Sequence, residues 1–413
     1  MPSPSSPPPQ TARFQEKREA ILGAAALLFN ERGVKGATLS DIAASVGLAT
    51  NSVTYYYRKK EDLAAACVLR AIERYESLII EAASETTAAK RLQRFFREHA
   101  ALLAEIELKQ VPEFVVFNDL RALPSPQLDI AFAAYTDMFR NIRALLKGPE
   151  TVGLTRDALN ARAHIVLSIA NWMRTWIGRF ETDDYTRIAD RMTDIVINGL
   201  AGGDSRWRRV DTERDWQLGR HTRGSGDTAD AFLRAATFLV NEQGYRGASV
   251  DKISARLNVT KGSFYHHNDN KQDLISACFE RTFSVVRQAL SLAESGSGSG
   301  WDRACAVARA LVRYQLSDDG PLLRSSATSA LPDQAHRDGV RTTMARLTEK
   351  MGCIVVDGMM DRSIRPLDPA IAALIAIGVI NASAELQRWA PSANVETAAD
   401  MYLRPVFCGL FCD

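Results

Sequence analysis

The sequence predicts an all-α protein. Apolar residues recur at helical spacing: Ile21, Ala24, Ala25, Leu28 and Phe29 lie at positions i, i+3, i+4, i+7 and i+8 of one stretch. Few segments alternate apolar and polar residues, so there is little indication of β-strands. The same helical pattern occurs twice along the chain, which indicates a duplicated helical protein.

The second half of the chain repeats the first. Residues 21–67 align without a gap with residues 232–278, and the similarity returns much further along, where Gly199 corresponds to Gly409. The repeated unit has about 200 residues, which is too long for a solenoid repeat. We therefore interpret the chain as two whole proteins in tandem, the first and the second repeat.

Helix-ending and helix-capping residues predict three helices at the start of each repeat. Gly33 tolerates a left-handed backbone and ends the first helix. Thr38 caps a second helix, with Asp41 three residues on as in a capping box. A turn at residues 47–49 precedes a third helix over residues 50–57. In the second repeat the corresponding features are Ser249, residues 258–259 and residues 260–268.

A short helix, a tight turn and a helix that displays polar and aromatic side chains are typical of a helix-turn-helix. Lys60 and Lys271 are predicted to pair with DNA phosphates, to which Ser, Thr and Tyr hydroxyls also donate. Asn51 and Lys261 are suited to reading base edges. A solvated helix face is the alternative, but two copies in register favour DNA binding.

The predicted DNA contacts lie on or beside the two helix-turn-helix elements. In the first repeat they are Thr38, Thr50, Asn51, Ser52, Thr54, Tyr55, Tyr56 and Lys60. In the second repeat they are Ser249, Lys261, Gly262, Ser263, Tyr265, His266, His267 and Lys271.

Both stretches resemble the DNA-binding domain of TetR-family regulators, whose third-helix region follows G-V-x-x-x-x-[LF]-Y-x-H-F-x-x-K-x-x-L. The resemblance implies a three-helix DNA-binding head, a larger helical ligand-binding body and dimerisation through the last two helices. Thr54 stands where Tyr is usual, and Asn268 replaces a core aromatic residue, so the second head is expected to pack less firmly. The matching residues are Val259, Phe264, Tyr265, His267, Lys271 and Leu274 in the second repeat, and Gly47, Leu48, Val53, Tyr56, Tyr57, Lys60 and Leu63 in the first.

The repeat and the resemblance divide the chain into six segments. Residues 202–227 have no sustained apolar period and are expected to link the repeats, with a reach of roughly 80 Å when extended. The final helices of the two bodies would then pack together as an intramolecular pseudo-dimer. The predicted segments are a disordered tail (1–14), a first DNA-binding domain (15–62), a first body (63–201), the linker (202–227), a second DNA-binding domain (228–273) and a second body (274–413).

The two bodies are predicted to differ in ligand binding. Aromatic residues concentrate in the first body, where Phe114 and Phe117 align with Ser325 and Thr328 of the second. An aromatic-lined cavity suits an apolar or aromatic small molecule. The alternative is plain core packing or, for the tryptophans, packing at the dimer interface. The predicted ligand-binding residues are Phe114, Phe117, Tyr135, Phe139 and Trp172.

Composition excludes several other classes of protein. A net charge of +2 requires DNA binding to come from a local patch. The opening MPSPSSPPPQ has no apolar core, so it is not expected to act as a signal peptide. Residues 370–380 form an apolar run that is too short to span a bilayer and is expected to be a buried helix. Six cysteines make no disulfide framework, and a cytoplasmic location is expected.

These observations predict a sequence-specific DNA-binding transcriptional regulator, a repressor released by a small apolar or aromatic effector. Its expected partners are double-stranded operator DNA and that effector, without a membrane; further self-association of pseudo-dimers stays open. No cofactor, metal site or catalytic set is predicted. The alternatives are an enzyme with a helical cleft and a regulator with one DNA-competent head, the other serving protein interaction. Cys408 and Cys412 could form a redox or metal pair, although interface packing is favoured.

Overall fold

A computed structural model describes residues 9–117, 120, 123–208, 216–219, 227–260, 262, 270–331 and 333–412. These residues form helices joined by turns and loops, with no β-strand among them; Ala201 and Ile364 form an isolated antiparallel bridge. The prediction of an all-α fold is therefore confirmed. The chain divides into a smaller compact unit, residues 1–77 with 104–138, and a larger one, residues 78–103 with 139–413.

The first head belongs to the smaller unit and forms at the predicted signals. Gly33 (φ 69°) ends the first helix, and Gly47 (φ 65°) makes the turn between the next two. Thr38 Oγ1 accepts a hydrogen bond from the backbone N of Asp41, whose carboxylate accepts one from the backbone N of Thr38, so the capping box is present. The helices are α1 (Pro9–Arg32), α2 (Leu39–Ser45), α3 (Thr50–Tyr56) and α4 (Lys60–Ala83).

The start of α1 corrects one expectation. The segment predicted as a disordered tail ended at residue 14, but α1 already begins at Pro9. The ring of Phe14 lies 4.6 Å from the ring of Tyr56, and this contact packs the first turns of α1 against α3. The Pro- and Ser-rich composition of the segment does not indicate such a contact. Residues 1–8 of the predicted tail lie outside the described residues.

The bodies consist of longer helices, and the first two helices of the second head repeat the arrangement of α1 and α2. Gly244 (φ 70°) breaks the first helix of this head, Ser249 caps the next, and Asn258 (φ 56°) makes the turn after it. Beyond α4, the helices are α5 (Ala88–Glu107), α6 (Gln127–Leu145), α7 (Arg156–Met173), α8 (Tyr185–Asn198), α9 (Asp227–Gly247), α10 (Val250–Arg256), α11 (Lys271–Ser295), α12 (Gly300–Leu316), α13 (Gln334–Met360), α14 (Pro369–Ala382), α15 (Leu386–Trp389) and α16 (Arg404–Phe407), with a π-helical turn at Ala399–Leu403.

Helices of both repeats pack against one another inside the larger unit. Helices α7 and α8 of the first repeat contact α14 and the segment around α16 of the second. Trp172 Nε1 donates to the carbonyl O of Leu374 at 2.9 Å. Arg162 donates from Nε to the carbonyl O of Leu410 and from Nη2 to that of Cys412, both at 2.7 Å. We name this region the inter-repeat junction.

Two aligned glycines meet at the inter-repeat junction. Both have a positive φ, 69° at Gly199 and 104° at Gly409. A Cβ on Gly199 would lie 2.5 Å from the backbone N of Gly409, and a Cβ on Gly409 would lie 2.5 Å from the carbonyl O of Ile197. Only glycine permits so close an approach of the two backbones.

The apolar run predicted as a buried helix lies in α14. Among the described residues, one helical segment, Pro369–Trp389, is long and apolar enough to cross a membrane by length and composition. Its most apolar window is 61% buried inside the protein, and a core helix of a soluble protein passes the same test. The burial of Ile371, Ile375 and Val379 agrees with the core assignment.

Candidate nucleic-acid interface

Helix α3 displays the predicted reading residues of the first head. Val53 points inward and is fully buried, which anchors α3 to the core of the head. Thr50 and Asn51 are exposed, Ser52 and Thr54 are half-buried, and Tyr55 is 76% exposed. Thr54 Oγ1 donates to the carbonyl O of Asn51 at 3.0 Å, so its hydroxyl proton is used within the helix. The exposed face is therefore polar and aromatic and suited to a DNA groove.

Phe14 joins this face, although the sequence did not reveal it. Its ring lies 4.6 Å from that of Tyr56 and 6.3 Å from that of Tyr55, and the two tyrosine rings are 5.4 Å apart. Such contacts restrict the rotamers of both tyrosines before DNA binds. Arg13 and Lys17 are exposed on the same end of α1 and add positive charge beside a reading helix that has none.

The two cap residues predicted as DNA contacts also stabilise their helices. Thr38 Oγ1 accepts from the backbone N of Asp41 at 3.1 Å, and Ser249 Oγ accepts from the backbone N of Lys252 at 3.3 Å. The hydrogen bond with the Thr38 side chain lowers the pKa of Asp41, and its hydrogen bond with the Thr38 backbone lowers it further. The Thr38 hydroxyl therefore donates to the Asp41 carboxylate. Ser249 Oγ acts as an acceptor in its cap, so its proton remains suited to a phosphate oxygen.

Lys60 is the first residue of α4 and Lys271 the first residue of α11, and each has an internal partner. Lys60 Nζ donates to the carbonyl O of Ala37 at 3.0 Å. Lys271 Nζ donates to the carbonyl O of Tyr245 and lies 3.9 Å from the centre of that ring. Lys60 therefore attaches α4 to the loop after α1, and Lys271 attaches α11 to the end of α9 beyond the break at Gly244. An ammonium carries three donors, so a phosphate contact by Lys60 is compatible with this bond.

Most of the predicted reading residues of the second head lie outside the described residues. These are Lys261, Ser263, Tyr265, His266 and His267. Gly262 is described, and it is helical and exposed. The DNA contacts of the second head stay predictions.

Three of the predicted ligand-binding residues lie in the smaller unit. Phe117 is the centre of an aromatic cluster, with its ring 5.5 Å from that of Tyr75 and 5.1 Å from that of Tyr135, both edge-on. Phe114 is buried, and the Arg70 guanidinium lies 4.5 Å over its ring. We name Tyr75, Phe117 and Tyr135 the aromatic cluster.

The other two predicted ligand-binding residues lie in the larger unit and pack on the second repeat. Phe139 stacks on Trp389 with the ring centres 3.9 Å apart. Trp172 donates to Leu374 and lies against Gly378, where an added Cβ would meet its ring at 2.5 Å. The structure therefore places Phe139 and Trp172 at the inter-repeat junction. For Trp172 this position agrees with the alternative of interface packing that the sequence left open.

Comparisons with known proteins agree with this geometry. The family model of the bacterial regulatory proteins of the tetR family matches twice, at residues 21–67 and 232–278. The transcriptional repressor BepR of Brucella suis is 26% identical over 46% of this chain and 94% of its own length. The TetC protein of transposon Tn10 from Escherichia coli is 25% identical over 34% of this chain and 70% of its own length.

The chain belongs to the TetR family. It is a tandem member of that family and a DNA-binding transcriptional regulator. Among similar solved structures, a TetR-family regulator from Bordetella parapertussis has 17% identity and a TM-score of 0.38, with 44% of this chain and 94% of that one covered. AibR in complex with isovaleryl coenzyme A and operator DNA has 21% identity and a TM-score of 0.36, with 44% and 98% covered.

Two features of this TetR-family chain lie at the inter-repeat junction. Buried His164 shares a hydrogen bond of 2.8 Å between its Nδ1 and the hydroxyl of Tyr402, and burial lowers the pKa of His164 to about 4. The hydrogen bond with Cys412 and burial raise the pKa of Cys408 and keep it a thiol. No group of three or more metal-ligating side chains occurs among the described residues.

Proposed function

We propose that this chain is a cytoplasmic transcriptional repressor that binds an asymmetric operator as a single-chain pseudo-dimer and leaves it when a small apolar or aromatic effector binds. The observation that carries the proposal is the reciprocal contact at the inter-repeat junction. In a two-fold interface, residue i of one protomer contacts residue j of the other and the reverse. Within one chain, the aligned Gly199 and Gly409 satisfy this pattern.

Hydrogen bonds at the junction support the same interpretation. Leu200 N donates to the carbonyl O of Phe407 at 2.7 Å, and Leu410 N, at the aligned position, donates to that of Val196 at 2.9 Å. A covalent connection raises the effective concentration of the two halves to about the millimolar range, so that pairing needs no second molecule. The dimer interface of a TetR-like protein would then be satisfied inside one chain.

Two different reading helices favour an asymmetric operator. Operator symmetry mirrors protein symmetry, so identical heads read a palindrome. Here Asn51, which suits adenine, is replaced by Gly262 at the aligned position, and the neighbouring Lys261 suits guanine. Each mismatched base pair costs about 1–3 kcal/mol, which is enough to select two distinct half-sites.

The aromatic cluster supports effector binding by the first repeat. Its rings come from α4, the loop after α5, and α6, and aromatic side chains are frequent contacts of apolar ligands. In the second repeat, Ser325 follows Arg324 as Phe117 follows Val116 beside the equivalent asparagine bonds, so a hydroxyl replaces the aromatic ring at that place. DNA favours one spacing of the two heads. An effector that favours another spacing must therefore lower the affinity for DNA, and DNA must lower the affinity for the effector by the same factor.

Selection of binding sites from random double-stranded DNA by the intact chain tests the proposal. We expect one site with two dissimilar half-sites about one helical turn apart or slightly more. A perfect palindrome as the best site would contradict it. Variants Asn51→Ala and Lys261→Ala should each relax selection in a different half-site. Loss of selection in only one half-site, whichever residue is changed, would support the alternative of a single DNA-competent head.

A further inference from the structure

One asparagine connects the first helix of the first head to the loop that follows α5. Asn30 lies near the end of α1, and its Nδ2 donates to the carbonyl O of Phe114 at 2.9 Å. Its Oδ1 accepts from the backbone N of Val116, also at 2.9 Å. Because an amide has a donor and an acceptor, the two bonds fix both the position and the rotation of this loop against α1. We name residues 113–117 the first coupling segment.

The second repeat makes the same pair of bonds. Asn241 occupies the aligned position in α9; its Nδ2 donates to the carbonyl O of Leu322 at 2.8 Å and its Oδ1 accepts from the backbone N of Arg324 at 3.1 Å. We name residues 319–324 the second coupling segment. The two segments differ in sequence, but the amide recognises only backbone atoms, so the contact does not depend on their side chains.

An ion pair beside each asparagine is repeated too. Arg70 binds Glu19 through Nε at 2.9 Å and donates from Nη1 to a carbonyl oxygen of the first coupling segment at 3.2 Å. At the aligned positions, Arg281 binds Asp230 through Nε at 2.9 Å and donates to a carbonyl oxygen of the second coupling segment. The reading residues of the heads have diverged while this attachment has not, so both heads require it.

The first coupling segment also leads to the aromatic cluster. It ends at Phe117, whose ring contacts Tyr75 and Tyr135. A displacement of Phe117 therefore acts on the same short stretch of backbone that Asn30 holds. The segment is the direct covalent route from the cluster to the contact on α1.

The second coupling segment has an additional restraint. Arg324 Nη1 lies 2.7 Å from Glu385 Oε1, and Arg388 binds both Glu385, at 3.3 Å, and Glu242, which follows Asn241 in α9. These ion pairs return to the helix from which Asn241 extends. In the first repeat, Val116 takes the place of Arg324 in the bond to asparagine and offers no charge.

We propose that Asn30 and Asn241 are positioning residues that hold each DNA-binding head at a fixed angle to its own body through the coupling segments. The inference rests on the proposed function, because only a chain whose two heads share one DNA site has a head spacing to maintain. Without the amide, a head samples a wider range of angles. The chain then loses its preference for one distance between half-sites.

The test compares two duplexes. One is the site that the wild-type chain selects from random DNA; the other has one base pair inserted between the half-sites, which adds about 3.4 Å and a rotation of about 35°. For the wild type we expect the insertion to lower affinity by at least about tenfold, since both heads no longer engage together. In Asn30→Ala the penalty should fall to about threefold or less, and in Asn241→Ala it should fall less because the ion pairs remain.

Controls separate positioning from stability. Asn198→Ala removes an exposed amide that donates to Asp194 Oδ1 within α8, and it should keep the wild-type penalty. Asn30→Asp keeps the acceptor for the Val116 amide, so its penalty for the insertion should lie between those of the wild type and Asn30→Ala. If Asn30→Ala does not fold, Asn30→Asp provides the test. The inference would be overturned if Asn30→Ala lost the same affinity for both duplexes and if Asn30→Asp and Asn241→Ala kept the wild-type penalty for the insertion. That result would leave the proposed function standing. A wild type that selects a single half-site would refute the proposed function as well.

Discussion

Replacing Gly199 by alanine should destabilise the larger compact unit by about 2–6 kcal/mol, the sum of two terms. The residue has a φ of 69° and a ψ of −165°, a backbone region almost restricted to glycine, which costs another residue about 1–3 kcal/mol. The new Cβ would lie 2.4 Å from the carbonyl O of Phe407 and 2.5 Å from the backbone N of Gly409. Relieving such overpacking costs about 1–3 kcal/mol more.

Urea unfolding followed by circular dichroism measures this loss, and two other glycines separate its terms. Gly203 also has a positive φ (52°), but its nearest neighbour would be 3.5 Å from an added Cβ, so Gly203→Ala should lose only about 1–2 kcal/mol. Gly153 has no positive φ and open space around it, so Gly153→Ala should change the free energy of unfolding little. Equal losses in Gly199→Ala and Gly203→Ala would refute the close approach of the two repeats at this point.

Three further predictions concern the heads and the junction. Phe14→Ala should weaken operator binding by about 0.5–1.5 kcal/mol because Tyr55 and Tyr56 lose an aromatic contact, whereas Leu27→Ala, which changes another exposed residue of α1, should not; gel shifts decide. Lys60→Ala should lower the slope of log affinity against log salt by about one unit, and an unchanged slope would exclude a phosphate contact. Burial lowers the pKa of His164 to about 4, so the folded protein binds fewer protons than the unfolded one; stability should fall as the pH drops from about 6.5 towards 4, and His164→Gln should flatten this dependence in urea titrations.

The local features of the heads were predictable because single residues determine them. A left-handed backbone at Gly33 and a capping box at Thr38 depend on the chemistry of one or two neighbouring side chains, and both are present. The duplication was also visible, since both repeats keep the same cap and turn positions. The early start of α1 was not, because it depends on a contact between Phe14 and a helix some forty residues later in the chain.

The remaining parts of the candidate site depend on distant backbone. Asn30 contacts Phe114 and Val116 through main-chain atoms, and no side-chain pattern in those residues indicates such a partner. The role of the aromatic residues was also hard to predict, because aromatic side chains at helical spacing occur both around ligand cavities and at interfaces. Phe117 lies in an aromatic cluster, whereas Phe139 stacks on Trp389 of the other repeat.

The mass of the chain on its selected operator tests the central claim most directly. Sedimentation equilibrium of the minimal duplex, with and without protein, should show an increase equal to one chain of 45.5 kDa. That increment should not change over a wide range of protein concentration, because both heads belong to one molecule. An increment of two chains on the minimal site, or one chain that protects only a single half-site from cleavage, would contradict the single-chain pseudo-dimer.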